Sequence, residues 1–270
     1  MRYAGARTDR YRFLALAGLC VSAVLLIPVE RYLAGGVVWA LGLLPVVLDR
    51  EPAFRRRMGM LYALVVLLAV APIHTDTGTA HFLTLGLFFL AAVALPPLIL
   101  GRTDPGVIRY TFLPRRPDGL DLFYVAISIP LAYGVISLYF FTINPEVPTH
   151  WPLPPEPDPE ASWRLIAGIN CVGIWDELFF VNTVYAILRS VFPHRLANAG
   201  QAALYASVLT DMAFTGIGPI VVYLFALTQG AMYERSNVLI YVLVVHVIVD
   251  VFLLGGIFGF NYPGTTHLGF

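Results

Sequence analysis

The stretch Trp175-Asp176-Glu177-Leu178-Phe179-Phe180-Val181-Asn182 sets two adjacent carboxylates inside a largely apolar run from about Trp163 to Phe192. The run is long enough to cross a bilayer, which takes roughly 20 residues of helix. Charged side chains at membrane depth are costly and usually face a bundle interior or a polar cavity. An intramembrane acid pair is therefore a candidate functional site.

The rest of the chain supports the membrane reading. It is 58% hydrophobic and 13% charged, with a mean hydropathy of +0.75. A soluble domain of this length carries about twice that charge. The expected class is an all-α polytopic transmembrane helical bundle of nine spans, at about 11–29, 32–48, 58–74, 82–100, 121–143, 163–188, 197–215, 218–233 and 237–257. The run from Phe13 to Val29 is too long for a signal-peptide core and leads into a second span, so it reads as an uncleaved first helix. The formal net charge is zero, which gives no global basic field for nucleic acid. Cys20 and Cys171 both fall in apolar spans and suggest neither a disulfide framework nor a metal site.

All 17 basic residues are Arg. They alternate from side to side. Arg2, Arg7, Arg10 and Arg12 precede the first span; Arg50, Arg55, Arg56 and Arg57 follow the second; Arg102, Arg109, Arg115 and Arg116 follow the fourth. Arg189 and Arg195 follow the sixth and Arg235 the eighth, while the opposite side holds only Arg31 and Arg164. This positive-inside pattern predicts a cytoplasmic N-terminus, an external C-terminus and an odd number of spans, in the cytoplasmic (inner) membrane of a bacterium. The Pro-rich, acidic segment 145–162 cannot be a regular helix. It reads as an extended external linker, most simply a spacer, between a five-helix part (1–144) and a four-helix part (163–270).

Few ionisable groups lie deep in the expected spans. They are Asp176, Glu177, Asp211, His246 and Asp250, all in the last four helices. Counted from the nearest cytoplasmic Arg at 1.5 Å per residue, Glu177 lies about 18 Å deep, Asp211 about 24 Å, His246 about 16 Å and Asp250 about 22 Å. His246 and Asp250 are four apart and share a helix face. Carboxylates at the level of an imidazole suit general base catalysis on water. Glu177, Asp211, His246 and Asp250 are equally an O/N ligand set for a divalent metal, and interhelical hydrogen bonding is the structural alternative. Gln229, Asn170, Asn182 and Thr210 read first as helix-packing polar residues and second as site donors. His74, His81, His150, His194 and His267 read as solvated positions in loops or at span ends.

The last four helices resemble the CPBP intramembrane proteases, which include type II CAAX prenyl endopeptidases and bacterial immunity or bacteriocin-processing relatives. The family pattern is Glu-Glu-x-x-x-Arg, then Phe-x-x-x-His, then His-x-x-x-Asn. The matching stretches are Asp176-Glu177-Leu178-Phe179-Phe180-Val181, Ser207-Val208-Leu209-Thr210-Asp211 and His246-Val247-Ile248-Val249-Asp250. The resemblance covers about residues 163–255. Glu177 and His246 match strictly. Asp176 stands for the first Glu, Val181 for the Arg, Asp211 for the first His and Asp250 for the Asn. The resemblance implies a CPBP-like four-helix core and a hydrolase of membrane-anchored or lipidated peptides in the bilayer. Glu177 would activate water, with His246 and Asp250 orienting or stabilising the oxyanion. A proteolytically inactive homologue that binds a membrane partner and a proton-coupled transporter are the alternatives.

Overall fold

The computed structural model describes residues 10–114, 116, 118–212 and 214–264. Arg2, Arg7, Arg115 and His267 lie outside them. The described residues are all helical and turn, with no strand. The helices are α1 Arg10–Leu26, α2 Tyr32–Leu48, α3 Pro52–Ala69, α4 Thr79–Thr103, α5 Gly119–Leu138, α6 Pro159–Asp176, α7 Tyr185–Arg189, α8 His194–Asp211, α9 Gly218–Ser236 and α10 Leu239–Asn261. A π turn, Tyr139–Ile143, extends α5, and a longer π segment, Glu177–Val184, joins α6 to α7. Among the described residues these elements make nine rods, one at each expected span. Those at Thr79–Thr103, Gly119–Ile143, Pro159–Arg189 and Leu239–Asn261 are long and apolar enough to cross a membrane by themselves. The other five helices run 17 to 19 residues.

Local chemistry sets the helix ends. Asp118 caps α5 by accepting from the Leu120 N–H at 2.8 Å, and Asp158 caps α6 by accepting from Ala161 N–H at 2.8 Å. Pro159 then opens α6, where a missing N–H costs nothing. The first free N–H groups of α10, on Leu239 and Ile240, are taken by the carbonyls of Thr111 and Phe112. α9 stops at Asn237 in the left-handed region, φ 52°.

The Arg-rich helix ends gather on one face. Arg12 pairs with Asp49 at 2.8 Å and Glu51 at 2.7 Å, and Arg56 and Arg57 both pair with Asp104 at 3.1 Å. Arg189 pairs with Glu234 at 3.0 Å, and Arg235 with Asp118 and Asp121. Burial alone would raise the Asp104 carboxyl, but the two guanidinium groups outweigh it and hold Asp104 below the usual carboxylate range.

The opposite face is closed by the Pro-rich segment. Sequence composition suggests a spacer there, and the structure differs. Val147–His150 form a 3-10 turn. Val147 and Trp151 are buried against Tyr139 and Phe140 of the α5 end and Leu253, Leu254 and Ile257 of α10. Tyr262 donates to Pro154 O at 2.6 Å and Asn261 to Pro148 O at 3.3 Å. The apolar members of the segment therefore cover the bundle end, which a composition count dominated by proline does not reveal.

The two halves share one core. Leu16 and Leu19 of α1, Phe54 and Met58 of α3, Phe179 and Phe180 of the π segment and Tyr205 of α8 belong to it. At Gly18 a methyl group would sit 2.6 Å from Gly42 Cα, so α1 and α2 touch backbone to backbone, as small residues permit in membrane helices. By contrast α4 and α5 leave Leu83, Leu87, Leu90, Leu122, Phe123 and Leu131 exposed, which is the surface expected against lipid. α4 packs on α3 and α6, and α5 on α10.

Candidate active site

Trp175 fixes the acid pair against α4. Its ring stacks on Phe89 with centroids 3.7 Å apart, and its Nε1–H donates to Phe89 O at 2.8 Å. The next two residues, Asp176 and Glu177, are fully buried. The helix widens into the π segment at Glu177, a distortion found frequently at functional sites. An uninterrupted α-helix is the sequence expectation here, because apolar periodicity carries no mark of a π turn.

Glu177 is the hub. Its Oε1 lies 2.7 Å from His246 Nδ1 and accepts from Gln229 Nε2–H at 3.1 Å and from the Tyr205 hydroxyl at 3.5 Å. An ionised carboxylate only accepts, so the short contact sets the imidazole proton on Nδ1. The Tyr205 oxygen is also 3.2 Å from Nδ1. The other ring nitrogen, Nε2, faces Asp176 Oδ2 at 3.8 Å and Asp250 Oδ1 at 3.6 Å. Those separations exceed a direct hydrogen bond. Three buried carboxylate oxygens, Asp176 Oδ1, Glu177 Oε2 and Asp250 Oδ2, have no hydrogen-bond partner among the described residues.

The surroundings hold this arrangement. Tyr124 of α5 donates to Gln229 Oε1 at 2.9 Å, so the amide turns its N–H groups to Glu177 and to Val242 O, 3.1 Å away. Phe225 stands edge-on to the imidazole, centroids 5.5 Å apart. Gly173, one helical turn before Asp176 and Glu177, leaves the space that the imidazole fills. A methyl group there would meet the Asp250 carboxylate first and would lie 2.6 Å from His246 Cδ2 and 3.0 Å from Nε2, so it crowds both side chains. Gly173→Ala is expected to push His246 off Glu177. A displacement of about 1 Å costs on the order of 10²-fold in rate where geometry is catalytic. Wild-type turnover in Gly173→Ala would show that the ring position is unimportant.

The site opens onto a cavity of about 870 Å³ between α4, α5, α6, α8, α9 and α10. Its walls are apolar, with Phe82, Leu131, Val222 and Leu253 among them, and Asp176, Tyr205, His246 and Asp250 form a polar patch on its wall. Glu177 is fully buried and contacts the Nδ1 side of the His246 ring.

Of the residues singled out from sequence, Asp176, Glu177, His246 and Asp250 come together. Asp211 does not. It closes α8, half-exposed, and shares no hydrogen bond or ion pair with the other four among the described residues. Tyr205 is the α8 residue that reaches the site. Asp211 lies six residues further on, about 240° round the helix, on a different face. Sequence reasoning missed Tyr205 and Tyr124, and for Gln229 it placed the site donor behind the packing amide. Their only sequence signal is polarity in apolar helices, shared with Asn170 and Thr210, whose side chains bond their own helix.

The metal set expected from sequence does not fit. The two nitrogens of one imidazole face different acids, and Asp211 is elsewhere. Among the described residues no three of these groups bring ligand atoms within 4.8 Å of one another.

Residues 158–252 match the family model described as type II CAAX prenyl endopeptidase Rce1-like. The matched segment takes in Asp176, Glu177, Tyr205, Gln229, His246 and Asp250. No curated protein and no solved structure matches the chain.

Proposed function

We propose, from the Rce1-like domain that puts residues 158–252 in the CPBP family of membrane proteins, that the chain is an intramembrane endopeptidase acting on a membrane-anchored or lipidated peptide. The observation that carries the reading is the buried Glu177–His246 couple, 2.7 Å apart, with Nε2 turned to the wall of an apolar cavity. A water between Nε2 and the Asp250 carboxylate is the nucleophile. Its oxygen bonds to the scissile carbonyl carbon as its proton passes to Nε2, and Glu177 stabilises the imidazolium through Nδ1–H. The Tyr205 hydroxyl, on the cavity wall, gives up its long 3.5 Å contact with Glu177 and turns its single proton to the oxygen of the tetrahedral intermediate. Nε2–H then protonates the departing nitrogen as the C–N bond breaks. Sequence alone suggests that Glu177 acts on water directly; the burial of Glu177 behind the imidazole favours His246 as the proton acceptor.

The cavity walls suit an acyl or prenyl chain or an apolar helix turn. Entry from the side is supported by α4 and α5, which flank the cavity while packing on other helices. The test is release of peptide from a lipid-anchored reporter by the protein in proteoliposomes, compared with Glu177→Gln. Equal release by both, or release by neither, counts against the reading.

The Arg-bearing face is assigned to the cytoplasm, with the Pro-rich segment outside, in a bacterial inner membrane. Reporter fusions after Arg57 and after Glu156 are expected to report opposite sides. The same side for both would refute the span count between them. The division into a front part, 1–144, and a core, 163–270, is a division of roles, with the front helices bracing the core.

A further inference from the structure

On the face covered by the Pro-rich segment, three side chains converge that the catalytic reading does not use. His74, Asp76 and His81 each present one ligand atom, and the three atoms lie within 4.8 Å of one another. The connection between α3 and α4 folds back so that the His74 ring stacks on His81, centroids 4.0 Å apart and planes at 24°. One atom each of His81 and Asp76 is engaged in a hydrogen bond, which leaves the other atom of each for a ligand. His81 Nε2 is bonded to His74 O at 3.1 Å, so a lone pair remains on Nδ1. Asp76 Oδ1 accepts from Gly78 N–H at 2.7 Å, so Oδ2 remains. His74 Nδ1 has only a long contact, 3.4 Å, from Asp76 N–H.

The loop is held in place from outside the cluster. Thr75 donates to His150 O at 2.5 Å, Thr77 to Pro152 O at 3.3 Å and Arg164 to Thr77 O at 3.1 Å. Anchors on both sides of Asp76 reduce the ordering cost of binding.

We propose that His74, Asp76 and His81 form a binding site for a divalent transition ion of the zinc class. Two imidazoles and one carboxylate suit such an ion; calcium and magnesium take all-oxygen shells. Three protein ligands leave further positions to water. The same three residues line the cavity, so the ion would tie the α3–α4 connection to the first turn of α4 at its wall. The site stands apart from Glu177 and His246, and the proposal does not depend on the peptidase reading.

The test uses the full chain in detergent with any affinity tag removed. Calorimetric titration with Zn²⁺ is expected to give one site per chain, and Mg²⁺ none. Loss of outer partners alone weakens metal sites about 10–100-fold, so His74→Ala and His81→Ala should each weaken binding at least that much. Asp76→Asn should weaken it too, while His246→Ala should leave it intact. In the wild type, the electron spin resonance spectrum of one equivalent of Cu²⁺ is expected to show nitrogen coordination that disappears in His74→Ala/His81→Ala. Full Zn²⁺ binding by that double variant, absence of stoichiometric binding in the wild type, or a Cu²⁺ spectrum without nitrogen would each overturn the site.

Discussion

Glu177→Gln is expected to lower peptide release by about 10²–10⁴-fold, the usual contribution of a catalytic acid–base unit, with protein level and helix content unchanged. Gln has the size of Glu and can still accept from Gln229 and Tyr205, whose donors lie 3.1 Å and 3.5 Å from Oε1. What it lacks is the negative charge that stabilises an imidazolium 2.7 Å away. The shape of the site survives while the proton affinity of His246 falls. The natural companion is Asp211→His, which restores the residue type that the CPBP pattern shows on this helix. Asp211 stands at the end of α8, away from the cluster, so this change is expected to leave turnover near wild type. A large effect of Asp211→His with a silent Glu177→Gln would reverse the assignment of the site.

His246→Leu carries the largest expected stability effect. Glu177 is buried with no exposed surface, and the imidazole is its shortest partner. The imidazole is neutral at rest, so its removal takes a hydrogen-bond donor from a buried carboxylate, which costs about 1–3 kcal/mol and more for a charged group. Glu177→Gln/His246→Leu replaces the stranded carboxylate by a neutral amide and is expected to recover much of that loss. The readout is thermal unfolding in one detergent for wild type, both single variants and the double. A double variant that loses the sum of the two single losses would mean that the two side chains are energetically independent, contrary to their 2.7 Å contact.

The rods were legible because their cause is local. An apolar run of 20 or so residues has to satisfy its own backbone in a bilayer, and helix is the way a single segment does so. The Arg face was legible for the same reason, since alternation along the chain needs only the crossings to be counted. Asp176 and Glu177, adjacent in one span, and His246 and Asp250, four apart on one helix, were found because their spacing lies within a single element.

What sequence spacing could not supply was rotation and termination. Residue counting gives the depth of Asp211 at 1.5 Å per residue, but not the direction it faces, nor that α8 ends at that residue. The α8 direction is decided by packing: Tyr205 sits against Phe180, ring centroids 4.7 Å apart, and that contact turns the hydroxyl to Glu177. Gln229 is recruited the same way, by Tyr124 on α5, 105 residues earlier in the chain.

The sequence by itself thus determined a bundle of membrane helices, the Arg-bearing face and four of the five acids and imidazole at the centre. Only the tertiary structure decided that Asp211 stays out, that Tyr205 and Gln229 complete the site, that the Pro-rich segment covers the bundle end, and that His74 meets His81. Helix formation and depth depend on near neighbours in the chain, through backbone hydrogen bonds and solvent polarity. The azimuth of each helix and the path of each connection depend on which distant surfaces fill one another, and that information resides in no single stretch.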